Sequence, residues 1–277
     1  MKKGLYIVAT PIGNLGDVSE RALSVLRDAD VVACEDTRVT KKLFSLLGIS
    51  LKKTFLPLHD HNESEQSDHI IGLINNDKSV ALVSDAGSPL ISDPGYKLVK
   101  KCKEQSLYYT IVPGASAVIS AIQLSGLPSN RFMFVGFIPN KEKSRRDLFE
   151  ELKGINSTLI FYETAPRILK TLTAALEVFG DREGAVVREI TKVYEESIGG
   201  HLSDIISNIN QKPIKGEIVF LVAPPEEDAS DIDIEAILKQ KLKKLSLKDA
   251  VAEVVKEYKQ NKNDVYEKAL GIKNDSR

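Results

Sequence analysis

The chain has 277 residues, 42% hydrophobic and 28% charged, with a formal net charge of −1. That length can bury one large domain or two modest ones, and no run approaches the roughly 18 apolar residues of a membrane span. The charge balance excludes a global field that would attract an anionic polymer, so any basic surface must be local. The two cysteines, Cys34 and Cys102, exclude a disulfide framework or a zinc-ligand spacing and fit a reducing cytoplasm.

The chain opens with MKKGLYIVATPIG, whose apolar stretch is too short for a signal segment and ends in Pro and Gly, so it reads as a first strand. Ser19 is the predicted N-cap of a first helix, with Ala22, Leu23, Leu26 and Ala29 along one face. The strand VVACED, a helix ending near Gly48, a strand from Val80 to Ser84 and a helix from about Pro94 to Glu104 follow, with Asp93 as that helix's expected N-cap. A strand from Tyr108 to Val112 and a helix from Ser116 to Leu124 complete a βαβ grammar, which predicts a largely parallel sheet over residues 1–128.

After Arg131 strands outnumber helices: FMFVGFI, a helix around Arg146 to Leu152, TLIFYE, a helix from Pro166 to Phe179, AVVREI, VYEESIGG, a short helix near Leu202 and GEIVFLVA. The adjacent AVVREI and VYEESIGG predict antiparallel pairing, hence a mixed sheet over residues 129–225. Residues 226–233 have linker composition. Residues 234–277 read as three short helices, with Ser246 and Asn263 as N-caps; they form either a helix-turn-helix-like unit or a helical appendage. Between Ile237 and Lys262 there are eight lysines (239, 241, 243, 244, 248, 256, 259 and 262) against Asp249, Glu253 and Glu257, and a second basic cluster holds Lys141, Lys143, Arg145 and Arg146. Either cluster serves equally as a solvated helix face.

Three loops follow strands and precede helices. PIGNLGD carries Gly13 and Gly16, which permit close approach of a ligand at a strand's C-terminal end, but it matches neither a dinucleotide fingerprint nor a Walker loop. SDAGSPLISDPG, from Ser84 to Gly95, places Asp85 where a carboxylate can accept from a ribose or an amino group, and VPGASA again sets Gly and Ser between strand and helix. Three such loops on one sheet imply one shared cleft. His59 and His61 have a His-x-His spacing, but no further Cys or His cluster supports a metal site; substrate contact or a structural loop fits better, and Asn62 could cap the next helix.

LYIVATPIGNL, ACEDTR, LHDHN, LVSDAGSPLISDPG, VPGASA, LIFYETAPR, REITK and KGEIVFLV, in that order, resemble the tetrapyrrole-methylase-like superfamily, in its branch that methylates small-subunit ribosomal RNA. The resemblance covers residues 4–223 and, more weakly, the tail. Ala9 and Ala115 depart from it, standing where Gly and Pro are common. It implies two α/β domains of the class III methyltransferase type plus a small C-terminal helical unit. It also implies an S-adenosylmethionine cleft, a homodimer in the cytoplasm, and 2′-O-methylation of a decoding-centre cytidine in 16S rRNA within the small ribosomal subunit. Neither metal nor membrane is expected.

By the same resemblance Pro11, Ile12, Gly13, Asn14, Asp85, Ala86, Ser88, Ile91, Ser116 and Ala117 line the cofactor site, with Tyr162 and Leu221 completing it. Ribose methylation removes a proton from the attacking oxygen, and a positioned base contributes roughly 10²- to 10⁴-fold. The candidates are Glu163, Glu189 and Lys192. Arg38, His59, His61, Asn62, Lys143, Arg145, Arg146, Arg167 and Arg188 are candidates to contact RNA. For Glu163, Glu189, Lys192, Arg38, Arg167 and Arg188, a salt bridge in the cleft wall is the competing role. Two rival functions remain open: methylation of a tetrapyrrole or other small molecule, and a non-catalytic RNA-binding factor on the same scaffold.

Overall fold

A computed structural model describes residues 1–225, 234–258 and 262–275. The expected linker at 226–233 and Lys259 of the basic run lie outside the described residues. The chain divides into two compact units, Met1–Pro225 and Glu226–Arg277.

The first unit begins with five strands: β1 (Gly4–Val8), β2 (Val31–Cys34), β3 (Thr54–Pro57), β4 (Ser79–Val83) and β5 (Tyr109–Val112). They form one wholly parallel sheet in the order β3-β2-β4-β1-β5. Side chains on a strand alternate between faces, and both faces here are buried. Tyr6, Val8, Val32, Cys34, Ala81 and Val83 pack against α1 (Glu20–Asp28) and α2 (Thr37–Leu46). Leu5, Ile7, Val31, Ala33, Val80 and Leu82 pack against α3 (Glu63–Asn75) and α4 (Tyr96–Glu104). Helices on both faces explain the near-continuous apolar runs of β1, β2 and β4.

Ser19 caps α1 as its sequence predicts, accepting from the Ala22 N–H at 3.1 Å. Asp93 does not cap α4. The cap position is Gly95, at φ 127°, and the first free N–H groups are satisfied from another helix: Glu63 Oε1 accepts from Gly95 N and Lys97 N, both at 2.9 Å. Asn62 occupies the cap position of α3 without a capping hydrogen bond; its side chain instead closes the preceding turn, accepting from His59 N (2.8 Å) and donating to Pro57 O (3.0 Å). Strand β3 escapes the sequence reading because it is four residues long, exposed at both ends and at the sheet edge.

The second sheet takes β6 (Phe132–Phe137), β7 (Thr158–Thr164), β8 (Glu183–Arg188), β9 (Glu196–His201) and β10 (Glu217–Val222) in the order β6-β7-β10-β8-β9. Only β6–β7 is parallel; β8 and β9 pair antiparallel as expected. One face packs on α6 (Glu142–Leu152), α7 (Ile168–Phe179) and α8 (Leu202–Gln211), with Phe149, Phe161, Phe179 and Phe220 at its centre. The other face packs on α5 (Ala117–Ser125), whose Val118, Ala121 and Ile122 cover Ile160, Ala185, Val187 and Leu221. Helix α5 follows the first sheet in sequence but buries its apolar face on the second. That crossing joins the two sheets and fixes the third loop between them.

The second unit holds α9 (Ile234–Leu242), α10 (Leu247–Tyr258) and α11 (Lys262–Asp275) around a small core of Ile234, Leu238, Val251, Val254, Val265 and Ala269. Ser246 precedes α10 and accepts from Asp249 N at 3.3 Å, whereas Asn263 lies inside α11 rather than at its cap. Lys241 pairs with Glu253 (2.7 Å) and Glu257 (3.0 Å), so part of the basic run is neutralised within the unit.

Candidate active site

Strands β4, β1 and β5 are neighbours, so their C-terminal loops lie side by side, where open α/β sheets bind ligands. Direct bonds lock these loops together. Thr10 N donates to Gly87 O at 2.8 Å, Gly87 N donates to Thr10 O at 3.1 Å, and the Ser88 hydroxyl donates to Ala115 O at 3.4 Å. Gly87 has φ 78°, and a Cβ there would meet Ile12 Cγ2 at 3.1 Å, so this position requires glycine. Gly13 permits an equally close approach across the cleft: a Cβ would stand 2.5 Å from Lys192 Cγ and 2.9 Å from Ile190 O.

Between these loops and the second sheet lies a cleft of about 460 Å³. Ile12, Asp85, Ala86, Ile91, Ala117 and Tyr162, six of the predicted cofactor residues, line it. Ser88 and Ser116 line a small adjoining recess of about 30 Å³. Pro11, Gly13 and Asn14 belong to the first loop without lining the cleft; the Asn14 carboxamide accepts from Gly16 N at 2.9 Å and holds the turn. Leu221 is fully buried beneath α5, away from the cleft lining, on the same face of β10 as Val219 but further along the strand under the helix. Val219, two residues earlier on the strand, lines the cleft instead.

The three expected catalytic residues separate. Glu163 lines the cleft with its carboxylate wholly buried, accepting from Thr164 N (2.7 Å) and the Thr171 hydroxyl (2.6 Å) and pairing with Arg167 (3.2 Å). Glu189 and Lys192 sit in the turn after β8, paired with each other at 3.0 Å, and Lys192 also reaches Glu217 at 2.8 Å. The Lys192 ammonium titrates above its ordinary range: burial opposes that rise, and the hydrogen bonds it donates to Glu217 and Glu189 overcome it. The Glu189 carboxyl is lowered, first by the Glu217 N–H and then by Lys192. Through these pairs Lys192 ties the turn after β8 to the start of β10.

Asp93, read from sequence as a cap, also lines the cleft. Burial pushes its carboxyl up to about 6; a Ser84 hydrogen bond opposes the rise, and Asp85 and Asp60 add to it. Burial likewise raises the Tyr162 phenol to about 12, with Asp93 contributing. Asp85 is raised by partial burial, and its carboxylate accepts from Asp36 N at 3.1 Å, which ties the β2 and β4 loops together. Four residues flanking the cleft hold positive φ without being glycine: Leu90 (73°), Ser92 (64°), Glu189 (49°) and Thr191 (63°). Such conformations cost of order 1–3 kcal/mol each and persist where surrounding structure dictates them. The sequence signal for Leu90, Ser92 and Asp93 was only the density of small and acidic residues in SDAGSPLISDPG.

The expected RNA contacts scatter. Arg38 is exposed and forks onto Asp36 at 2.7 Å. His59 and His61 meet edge-on, with ring centroids 6.1 Å apart, and among the described residues no group of three His, Cys, Asp or Glu side chains is placed to hold a metal. Arg188 pairs with Glu196 at 2.7 Å on the second sheet. Lys143, Arg145 and Arg146 lie on α6, and Arg145 and Arg146 share a separate groove with Arg167. No helix among the described residues is long and apolar enough to cross a membrane.

A parallel sheet with a three-loop cleft closed by a mixed sheet defines a methyltransferase of the tetrapyrrole methylase class; the family model for Tetrapyrrole (Corrin/Porphyrin) Methylases matches residues 4–206. A second family model, the RsmI C-terminal HTH domain, matches residues 228–273. "Ribosomal RNA small subunit methyltransferase I" of Erythrobacter litoralis is 47% identical over 274 residues, covering 99% of this chain and 96% of that protein. Its counterpart in Vibrio cholerae is 45% identical over 275 residues, covering 96% and 94%. The chain belongs to the ribosomal RNA small subunit methyltransferase I family. Among solved structures, diphthine synthase matches with a TM-score of 0.60 at 17% identity, over 79% of this chain and 89% of that one, a likeness of fold alone.

Proposed function

We propose that this methyltransferase transfers a methyl group from S-adenosylmethionine to the ribose 2′-hydroxyl of a decoding-centre cytidine in 16S rRNA. The observation that carries the reading is the intact three-loop cleft in a chain that matches rRNA methyltransferases over nearly its whole length. The methyl donor implied by the family suits this cleft. Ile12, Ile91 and Val219 offer apolar walls for a flat base, Ala86 and Gly87 leave room beside the backbone, and the carboxyls of Asp85 and Asp93 complement a cationic ligand.

When bound, the cofactor supplies an electrophilic methyl carbon. The protein's part is alignment and proton removal. Loops locked by the Thr10–Gly87 bonds hold one reactant still, and orientation of this kind contributes about 7–11 kcal/mol. Asp93 is the base this chemistry needs: a cleft carboxylate titrating near 6 is ionised at neutral pH yet basic enough for an Asp Oδ to accept the 2′-hydroxyl proton as the oxygen attacks. Glu163 acts as a positioning residue, because its oxygens are engaged by Thr171, Thr164 and Arg167. Exposed Tyr109 and Ile111 on edge strand β5, and Phe132 and Met133 on edge strand β6, suit a homodimer contact. The cytoplasm, where rRNA is available, is the expected compartment.

Mass mapping of 16S rRNA from cells lacking this protein tests the assignment. One missing 2′-O-methyl group is the expected result, and an unchanged inventory refutes it. Calorimetry with S-adenosylmethionine tests the donor separately.

A further inference from the structure

A second concavity of the first unit, about 690 Å³, lies apart from the cofactor cleft. It is a groove among α6, α7 and α8. Arg145 lines it while only 5% exposed, its Nε is buried without a hydrogen-bond partner, and no acidic side chain pairs with it among the described residues. Two other cations in the groove differ in this respect. Arg146 is held by Glu142 (3.5 Å) and Glu177, and Arg167 by Glu163 (3.2 Å) and the Ile138 carbonyl. Lys170, exposed on the first turn of α7, is like Arg145 without an acidic partner among the described residues. A desolvated guanidinium facing an open groove lacks the anion that would offset its burial. The first turn of α7 adds free N–H groups and the positive end of a helix dipole.

We infer that this groove holds a backbone phosphate of the RNA strand flanking the methylated nucleotide, with Arg145 and Lys170 as its ligands; the inference rests on the RNA reading above. Arg167 links the two places, since it lines the groove while its partner Glu163 lines the cleft. A phosphate seated here would fix the strand's register against the reactive centre.

The test uses the full-length chain, a labelled decoding-centre RNA fragment and unmodified small ribosomal subunits, with Arg145→Gln and, because a buried substitution can unfold, the exposed Lys170→Gln. Each variant is expected to bind RNA about tenfold more weakly, as loss of a charge-assisted contact implies. The slope of log K against log salt should shrink by about 0.7–0.9, the signature of one lost phosphate. KM for subunits should rise with kcat little changed, and affinity for S-adenosylmethionine should hold. If Lys170→Gln and folded Arg145→Gln match the parent in RNA affinity and salt slope, the inference is overturned. If inorganic phosphate stabilises the parent but not Arg145→Gln while RNA affinities stay equal, the groove is a small-anion site and the RNA inference is likewise overturned. A parent that neither binds the fragment nor methylates subunits would overturn the RNA reading itself.

Discussion

At the scale of single residues, the cleft is a set of carboxyls that differ in what they are bonded to. Asp93 is half-buried and raised from an ordinary 3.8 to about 6, so methyl transfer should fall along an acid limb as pH drops below about 6. Asp93→Asn should lose that limb and about 10²- to 10⁴-fold in kcat, measured on unmodified subunits. An unchanged profile would remove Asp93 from the chemistry. The stability effect has the opposite sense. A raised carboxyl favours the fold below 3.8 and loses that contribution as pH rises through about 6. Asp93→Asn should therefore raise stability at pH 8 by at most about 3 kcal/mol, seen as a higher melting temperature, and leave it unchanged near pH 3. Asp85→Ala should weaken S-adenosylmethionine binding tenfold or more, as loss of a charge-assisted hydrogen bond worth about 1.5–3 kcal/mol implies. Calorimetry giving equal affinity would reduce Asp85 to the loop tie it makes with Asp36.

At the scale of elements, strands and helices follow from patterns of period 2 and 3.6, and Ser19 and the apolar runs marked most of them. The exceptions have local causes. Strand β3 carries too little apolar character to be seen, and the cap of α4 comes from Glu63, 32 residues away in sequence, which no local rule predicts. Asp30 is a comparable long-range tie. Its carboxylate accepts from the Ser79 hydroxyl (2.6 Å) and N–H (2.8 Å) at the start of β4, which lowers it to about 2, and Lys3 adds to this. That contribution is present above 3.8 and lost as pH falls through about 2. Asp30→Asn should cost about 1 kcal/mol at pH 7, discounted for solvent screening, and nothing near pH 1.5, as denaturant melts would report.

At the scale of the whole molecule, two units with separate cores should behave as separate folding units. A chain ending at Pro225 should bind S-adenosylmethionine within about twofold of the full chain, since independent sites couple by only about 0.3–0.5 kcal/mol. Loss of binding in a folded truncation would make the tail part of the cleft. The sequence by itself determined the α/β class, the helical tail, the three glycine-bearing loops and the family, because all of these are written in local periodicity or contiguous motifs. Tertiary structure alone decided that Asp93 is raised to about 6 and that Arg145 lacks an acidic partner among the described residues. It placed Leu221 under α5 with Val219 reaching the cleft lining, paired Glu189 with Lys192, and buried Arg145 beside an open groove. Those outcomes depend on desolvation and on partners brought together from distant segments, and neither quantity is carried by a residue's neighbours in sequence.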